Sequence, residues 1–196
     1  MKTTGFLLLV LVATGDPARY FTQQSTEPVA VTFRRLQSAA EVDKAAAQLL
    51  RQGRSDPKAR EYIALHLPSL IEKGPTQKDH PGPWVAVVRL AGQLKIAEAA
   101  PALAKWLTID NIGEMTTAGF TKLETNPAGR ALADIGDPAI PATIAVFDNG
   151  TLRERRYAVY VLNLINSPSA KNALQERLDR EPDEQLRDFI RKSLSG

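Results

Sequence analysis

From Trp84 onward the apolar residues recur at intervals of three and four, the spacing that gathers them on one side of an α-helix. Ala128, Ala131, Leu132 and Ile135 form one such stripe, and it returns thirty residues later as Ala158, Val161, Leu162 and Ile165. The second half of the unit repeats as well, with Pro138, Ile140 and Ile144 matching Pro168, Ala170 and Leu174. An earlier copy reads Val87, Leu90, Ala91 and Leu94, displaced by 41 from the Ala128 stripe, and Pro101 precedes Pro141 by 40. Internal periods of this size mark helix pairs that cannot bury their apolar faces alone and stack on their neighbours. The predicted fold is all-α, a short α-solenoid of antiparallel helix pairs.

Polar residues punctuate the pattern. Asp56-Pro57, Asn126-Pro127, Asp137-Pro138 and Ser167-Pro168 each join a capping side chain to a proline at the first helical position, where its missing N–H costs nothing. Thr151 and Glu154 have the spacing of a capping box, and so do Ser38 and Glu41. The helix opened by Ser38 runs through Leu49 and Leu50 and is expected to end at Gly53. The next carries Tyr62, Ile63, Leu65 and Leu67, with a break or kink expected at Pro68 and a stop at Gly74-Pro75.

Thr108 to Thr125 has no clean period and reads as an insertion, residues 108–125, that loops out between repeats. At the end, Leu186, Phe189, Ile190 and Leu194 oppose Arg187, Asp188, Arg191 and Lys192, so residues 182–195 are expected to form an amphipathic helix capping the stack. About eight or nine helices are expected, within a repeat domain over residues 38–196.

The first 37 residues do not follow this scheme. Met1 and Lys2 precede an unbroken apolar run from Phe6 to Val12 and the small residues Ala13-Thr14-Gly15, so residues 1–15 look like a signal peptide. The expected destination is the periplasm or the exterior; the alternative is a frayed apolar segment on a cytoplasmic protein. The run is too short to span a bilayer, so no stable membrane anchor is expected after cleavage. Residues 16–37, with a β-prone stretch from Pro28 to Phe33, read as a flexible leader.

Composition narrows the chemistry. Only 6% of residues are aromatic and Ala is frequent, which suits close helix packing. The absence of cysteine rules out disulfides, thiolate metal sites and a lipid-modified cysteine. A formal charge of +3 with no run of five like charges gives no support to nucleic-acid or membrane-surface binding.

His66 and His80, without cysteine, make no recognisable zinc constellation. Asp134 and Asp137 have the spacing of paired carboxylates, but Asp137 before Pro138 is better explained as a helix cap. Neither a nucleophile elbow, a P-loop nor a dinucleotide fingerprint occurs. No catalytic, cofactor-binding or metal-binding residue is therefore expected.

The candidate partner-binding residues are Trp84, Phe120, Arg153, Arg155 and Arg156. Trp84 follows a Pro-Gly-Pro loop and is expected to be partly exposed, as a binding anchor or as a plug between helix pairs. Phe120 sits in the insertion with Ile109, Ile112 and Met115, which either fold back over the stack or form a contact surface. The three arginines are the densest basic cluster. They either meet an acidic partner or form a solvated face, with Arg155 or Arg156 paired to Asp137 or to another acid of the neighbouring repeat.

The succession Ala128, Ala131, Leu132, Ile135, Gly136, Asp137, Pro138 resembles a HEAT or HEAT-like repeat of the phycobilisome-lyase type. Leu90 to Leu107 and Ala158 to Leu178 are similar, and the resemblance runs from Pro57 to the C-terminus, strongest between Trp84 and Leu178. The order of a Leu-Ala-Gly-Gln-Leu repeat, an insertion, Asn-Pro-Ala and an Ile-Gly-Asp-Pro repeat also resembles exported bacterial HEAT-repeat proteins. The resemblance implies a HEAT/armadillo-like superhelix with a curved surface for protein partners or scaffolding. Di-iron hydroxylases built on such repeats ligate metal through His-Glu pairs, whereas here His66 precedes Leu67 and His80 precedes Pro81. The alternative within the family is a lyase or enzyme-maturation factor acting at a pocket near residues 108–125.

Overall fold

Capping side chains set where five of the ten described helices begin. The computed structural model describes residues 28–75, 82–108 and 126–195. Asp56 Oδ1 accepts from Lys58 N at 2.9 Å and opens α3 (Pro57–Glu72), while Asn126 opens α6 (Pro127–Ile135) by accepting from Gly129 N at 2.7 Å. Thr151 and Glu154 close a reciprocal capping box ahead of α8 (Leu152–Ile165), and Ser167 Oγ accepts from Ala170 N at 3.1 Å ahead of α9 (Pro168–Leu178). Asp183 Oδ1 takes Leu186 N at 2.8 Å at the head of α10 (Glu184–Ser195). Completing the set are α1 (Val29–Arg34), α2 (Val42–Ser55), α4 (Gly82–Gln93), α5 (Ala100–Ala104) and α7 (Ile140–Asn149). Among the described residues there is no strand, and the fold is all-α.

The helices form two rows. α2, α4, α6, α8 and α10 pack side by side in that order, and α3, α5, α7 and α9 do the same in the second row. Between rows, α2 packs on α3, α5 on α6, α7 on α8 and α9 on α10, while α1 lies against α2 and α3. In these rows the helices bury their apolar stripes against one another. All three repeat stripes face inward: Val87, Leu90, Ala91 and Leu94, then Ala128, Ala131, Leu132 and Ile135, then Ala158, Val161 and Leu162 are buried, with Ile165 half-buried at the end of the third. Each large aliphatic side chain so enclosed contributes about 1.5–3 kcal/mol relative to an exposed position.

Small residues set how closely neighbours within a row pack. A Cβ on Gly92 would lie 2.9 Å from Ala131 Cα, so α4 and α6 touch backbone to backbone there. Gly136 ends α6 at φ +83°, ψ −144°, a conformation that side chains disfavour.

Several expectations are corrected. Within the leader, residues 29–37 are helical, with Phe33 and Leu36 buried against the stack. Burial outweighs the β-propensity of Val29, Val31 and Thr32; residues 16–27 lie outside the described set. The Ser38 capping box does not form. Glu41 holds the cap position without a side-chain bond, and the Ser38 carbonyl accepts from Val42 N at 2.9 Å instead.

Gly53 does not end α2, which continues to Ser55. It is buried in the helix, where a Cβ would meet Leu94 and Ile63 at 3.0 and 3.2 Å. Pro68 does not break α3, because Ile63, Leu67 and Ile71, all fully buried, anchor the helix on both sides of it. Asp137 does not cap by its side chain; it opens a 3-10 turn over Asp137–Ala139 that leads into α7. Among the described residues no helix is long and apolar enough to cross a membrane.

Candidate interaction surface

Thr151 fixes the direction of the basic cluster. Thr151 N donates to Glu154 Oε2 at 2.7 Å, so α8 starts at Leu152 and the three arginines fall within its first turn and a half. Successive residues of a helix are rotated by about 100°, which sends the three side chains to different surroundings. Arg155 points into the stack: Nε donates to Glu181 Oε2 and Nη2 to Glu181 Oε1, both at 3.0 Å, and Nη1 to the Gly150 carbonyl at 3.1 Å. Arg156 reaches across to α10, where Nη2 donates to Gln185 Oε1 at 3.0 Å. Arg153 is exposed. The structure therefore does not keep the cluster together as one patch. Arg155 is a strut between α8 and the α9–α10 connection, its side chain 20% exposed and that of Glu181 1%.

Of the two roles expected for Trp84, anchor or plug, its burial fits the plug, and the partial exposure suggested by its loop is not found. Trp84 is 5% exposed, its Nε1 donates to the Ile71 carbonyl at 3.1 Å, and its ring meets Trp106 edge-on with centroids 6.0 Å apart. The two tryptophans plug the joint between the α3 end and the α4–α5 pair, since the start of α4 is drawn inward by the stack it joins. Phe120 and the rest of the insertion from residue 109 to residue 125 lie outside the described residues. The two sides of that stretch are tied together by fully buried Asn126, whose Nδ2 donates to the Leu107 carbonyl while its Oδ1 caps α6.

The other titratable groups serve packing and local pairing. The His66 ring packs at a tilt, its centroid 4.3 Å from that of Tyr62 and 6.0 Å from that of Phe33. Asp134 pairs with Arg130 one turn back, at 3.0 Å. Arg177, mostly buried, holds Asp148 of α7 through Nη2 to Oδ2 at 2.9 Å; its Nε is 2.7 Å from Oδ1 but not aligned for a hydrogen bond. On α10, hydrogen bonds from Arg187 and then Arg191 hold the Glu184 carboxyl below the usual carboxylate range, and Glu184 and Asp188 raise the Arg191 guanidinium. Among the described residues no group of three or more His, Asp or Glu side chains is placed to hold a metal ion.

What the sequence reading passed over is the outward ridge of the α4, α6, α8, α10 row. The repeat offsets put Arg89, Arg130 and Tyr160 at equivalent positions, and Phe189 of α10 joins them through its ring contact with Tyr160 at 4.6 Å. The repeat offsets that align the apolar positions carry this signal as well. No protein-family model matches the chain, and no match is found among curated proteins or solved structures.

Proposed function

We propose that the chain is a HEAT-like, non-catalytic module for protein interaction or scaffolding, exported by a bacterium to the periplasm or beyond. The observation that carries this reading is the stacking itself. Equivalent helices of successive pairs lie side by side in one row, which presents equivalent side chains as a continuous outer ridge. A ridge of that kind suits recognition of another polypeptide, because contacts are spread over several repeats instead of converging on one reacting atom. The charge balance and the absence of like-charge runs favour a protein partner over nucleic acid. The apolar stretch Phe6 to Val12 with its small-residue end supports export.

The test is made in the native host with a C-terminally tagged copy, by cell fractionation, determination of the N-terminus, and cross-linking with mass spectrometry. The expected result is a chain beginning near Asp16 outside the cytoplasm, cross-linked to a discrete protein through outer faces of the repeats. An intact Met1 form confined to the cytoplasm would refute export, and the lack of any specific cross-link would refute the interaction reading.

A further inference from the structure

The parallel row α4, α6, α8, α10 carries a ridge with two chemical halves. Arg89, Arg130, Tyr160 and Phe189 follow one another at offsets of 41, 30 and 29 residues. The register between α8 and α10 is fixed by two contacts one turn apart, Arg156 to Gln185 at 3.0 Å and the Tyr160 ring to the Phe189 ring at 4.6 Å. Between α4 and α6 it is fixed by Gly92, whose Cα faces Ala131 and the Asp134 side chain. The neighbours of these ridge positions are buried, Val88 and Leu90 on α4, Ala131 on α6 and Val159 and Val161 on α8, so the ridge is what this row turns outward.

One half is cationic. Arg89 is exposed, and among the described residues it has neither a hydrogen bond nor an ion pair. Arg130 has only Asp134, four residues on in the same helix, with both side chains open to water at 58% and 36%. An exposed pair of this type is screened and weak, so another carboxylate can take the place of Asp134 at little cost. The other half is apolar. Tyr160 and Phe189 are half-buried ring partners, and Leu164, one turn along α8 from Tyr160, is 46% exposed, one of the two large aliphatic side chains so open among the described residues. The nearest acid on α10, Asp188, is taken up by Arg191 at 2.6 Å.

We infer that this ridge docks an extended acidic polypeptide segment lying across the helices, with carboxylates on Arg89 and Arg130 and an aliphatic or aromatic side chain on Tyr160, Leu164 and Phe189. The inference rests on the interaction reading above and specifies its surface and partner. Packed helices lie about 8–10 Å apart, so four of them span about 24–30 Å. An extended chain covers that distance with about seven to nine residues at about 3.3 Å each. Charge complementarity selects an acidic segment over a basic one. A nucleic-acid strand would instead bring a phosphate with every base to a ridge that offers two arginines and a carboxylate, Asp134.

The experiment uses the full chain and fluorescein-labelled decapeptides read by fluorescence anisotropy. The probes are Glu-Asp-Glu-Gly-Ser-Gly-Leu-Phe-Ser-Gly, the same residues in reverse order, a version with lysine at the three acidic positions, and a ten-nucleotide oligothymidylate. The expected result is that one acidic order binds in the micromolar range, weakens more than fivefold on adding salt, and weakens at least tenfold on Arg89→Glu. Arg89 is exposed, so that variant keeps the fold. Tyr160→Ser is expected to weaken binding at least fivefold, and Leu164→Ser, at a more open site, tests the same half if Tyr160→Ser fails to fold. Absence of binding by both acidic peptides, binding indifferent to Arg89→Glu, or tighter binding of the lysine peptide or the oligothymidylate would overturn the inference.

A photo-crosslinking amino acid placed in the host protein at position 89 or 160, and in the second row at Leu65 or Asn172, separates the two levels of the argument. Capture of an acidic segment from positions 89 and 160 supports the ridge. Capture from the second row alone overturns it while leaving the interaction reading intact, and capture from none overturns both.

Discussion

Removing the Glu181 carboxylate is the sharpest test of how the C-terminal helices are held. Glu181 lies between α9 and α10; Oε2 accepts from Arg155 Nε, Oε1 accepts from Arg155 Nη2, and Oε1 also takes Asp183 N, each at 3.0 Å. Glu181→Ala leaves the Arg155 guanidinium with the Gly150 carbonyl as its remaining partner, in a site where the arginine side chain is 20% exposed. Breaking a buried pair from one side costs about 3–5 kcal/mol, and the partial access of water to Arg155 puts the expected loss near the lower end, about 3 kcal/mol. For a domain of this size that corresponds to a fall in Tm of about 6–12 °C.

Glu181→Gln keeps the shape but turns an amide N–H₂ toward donors, for an expected cost of about 1–3 kcal/mol. The double variant Arg155→Met with Glu181→Leu removes both charges and is expected within about 1 kcal/mol of the parent, because an apolar replacement spares both desolvation penalties. With the single variants Arg155→Met and Glu181→Leu alongside the double, urea unfolding followed by far-UV circular dichroism closes the cycle, with an expected coupling of at least about 2 kcal/mol. Additive single effects, or a Glu181→Ala loss under about 1 kcal/mol, would show that the pair is not what joins α8 to the last two helices.

Other outcomes follow from single contacts. Gly92→Ala gains about 1 kcal/mol of helix propensity but drives a Cβ to 2.9 Å from Ala131 Cα, and overpacking of about 1–3 kcal/mol outweighs the gain; a more stable variant in urea would contradict the close crossing of α4 and α6. Asn126→Ala forfeits the cap, worth about 1 kcal/mol, and orphans the Leu107 carbonyl, worth about 1–3 kcal/mol, so a loss of about 2–4 kcal/mol is expected, with Asn126→Ser costing less because it keeps a capping oxygen. Hydrogen exchange in α6 checks it, and equal losses for both substitutions would deny the cap any share. Because its folded pKa is depressed, Glu184 contributes stability that is present above its unfolded pKa and lost as pH falls through the lower folded value. NMR titration of its side-chain carboxyl is expected to find a midpoint below that of an unpaired glutamate, and a midpoint at or above it would refute the pairing with Arg187 and Arg191.

The parts of the structure that sequence reasoning reached are those decided by residues within one turn of each other or by the repeat period. Asp56, Asn126, Thr151 and Ser167 cap as expected because a capping oxygen needs only a donor two or three residues ahead. The apolar stripes are buried as expected because a period of three and four fixes one face of a helix whatever it packs against. At Gly53, at Val29 to Phe33 and at Trp84 a distant contact overrules a local preference. Gly53 invites a helix stop, but Leu94 and Ile63 fill the space that its missing side chain leaves, so the helix continues. Val29 to Phe33 invites a strand, but Phe33 and Leu36 find the stack and the segment coils. Trp84 follows an open-looking loop, yet the carbonyl that takes its indole N–H belongs to Ile71 of the preceding helix.

The same division explains the arginines. Their spacing on α8 was legible, but the acid that draws Arg155 inward lies 26 residues away, beyond any local rule. The ridge falls between the two cases: its residues are far apart in the chain, yet the repeat offsets that align the buried stripes also align Arg89, Arg130 and Tyr160 on the opposite side of the same helices. In a stacked array a period that specifies the core specifies the surface with it, so the outward positions of the repeats carry as much information as the inward ones.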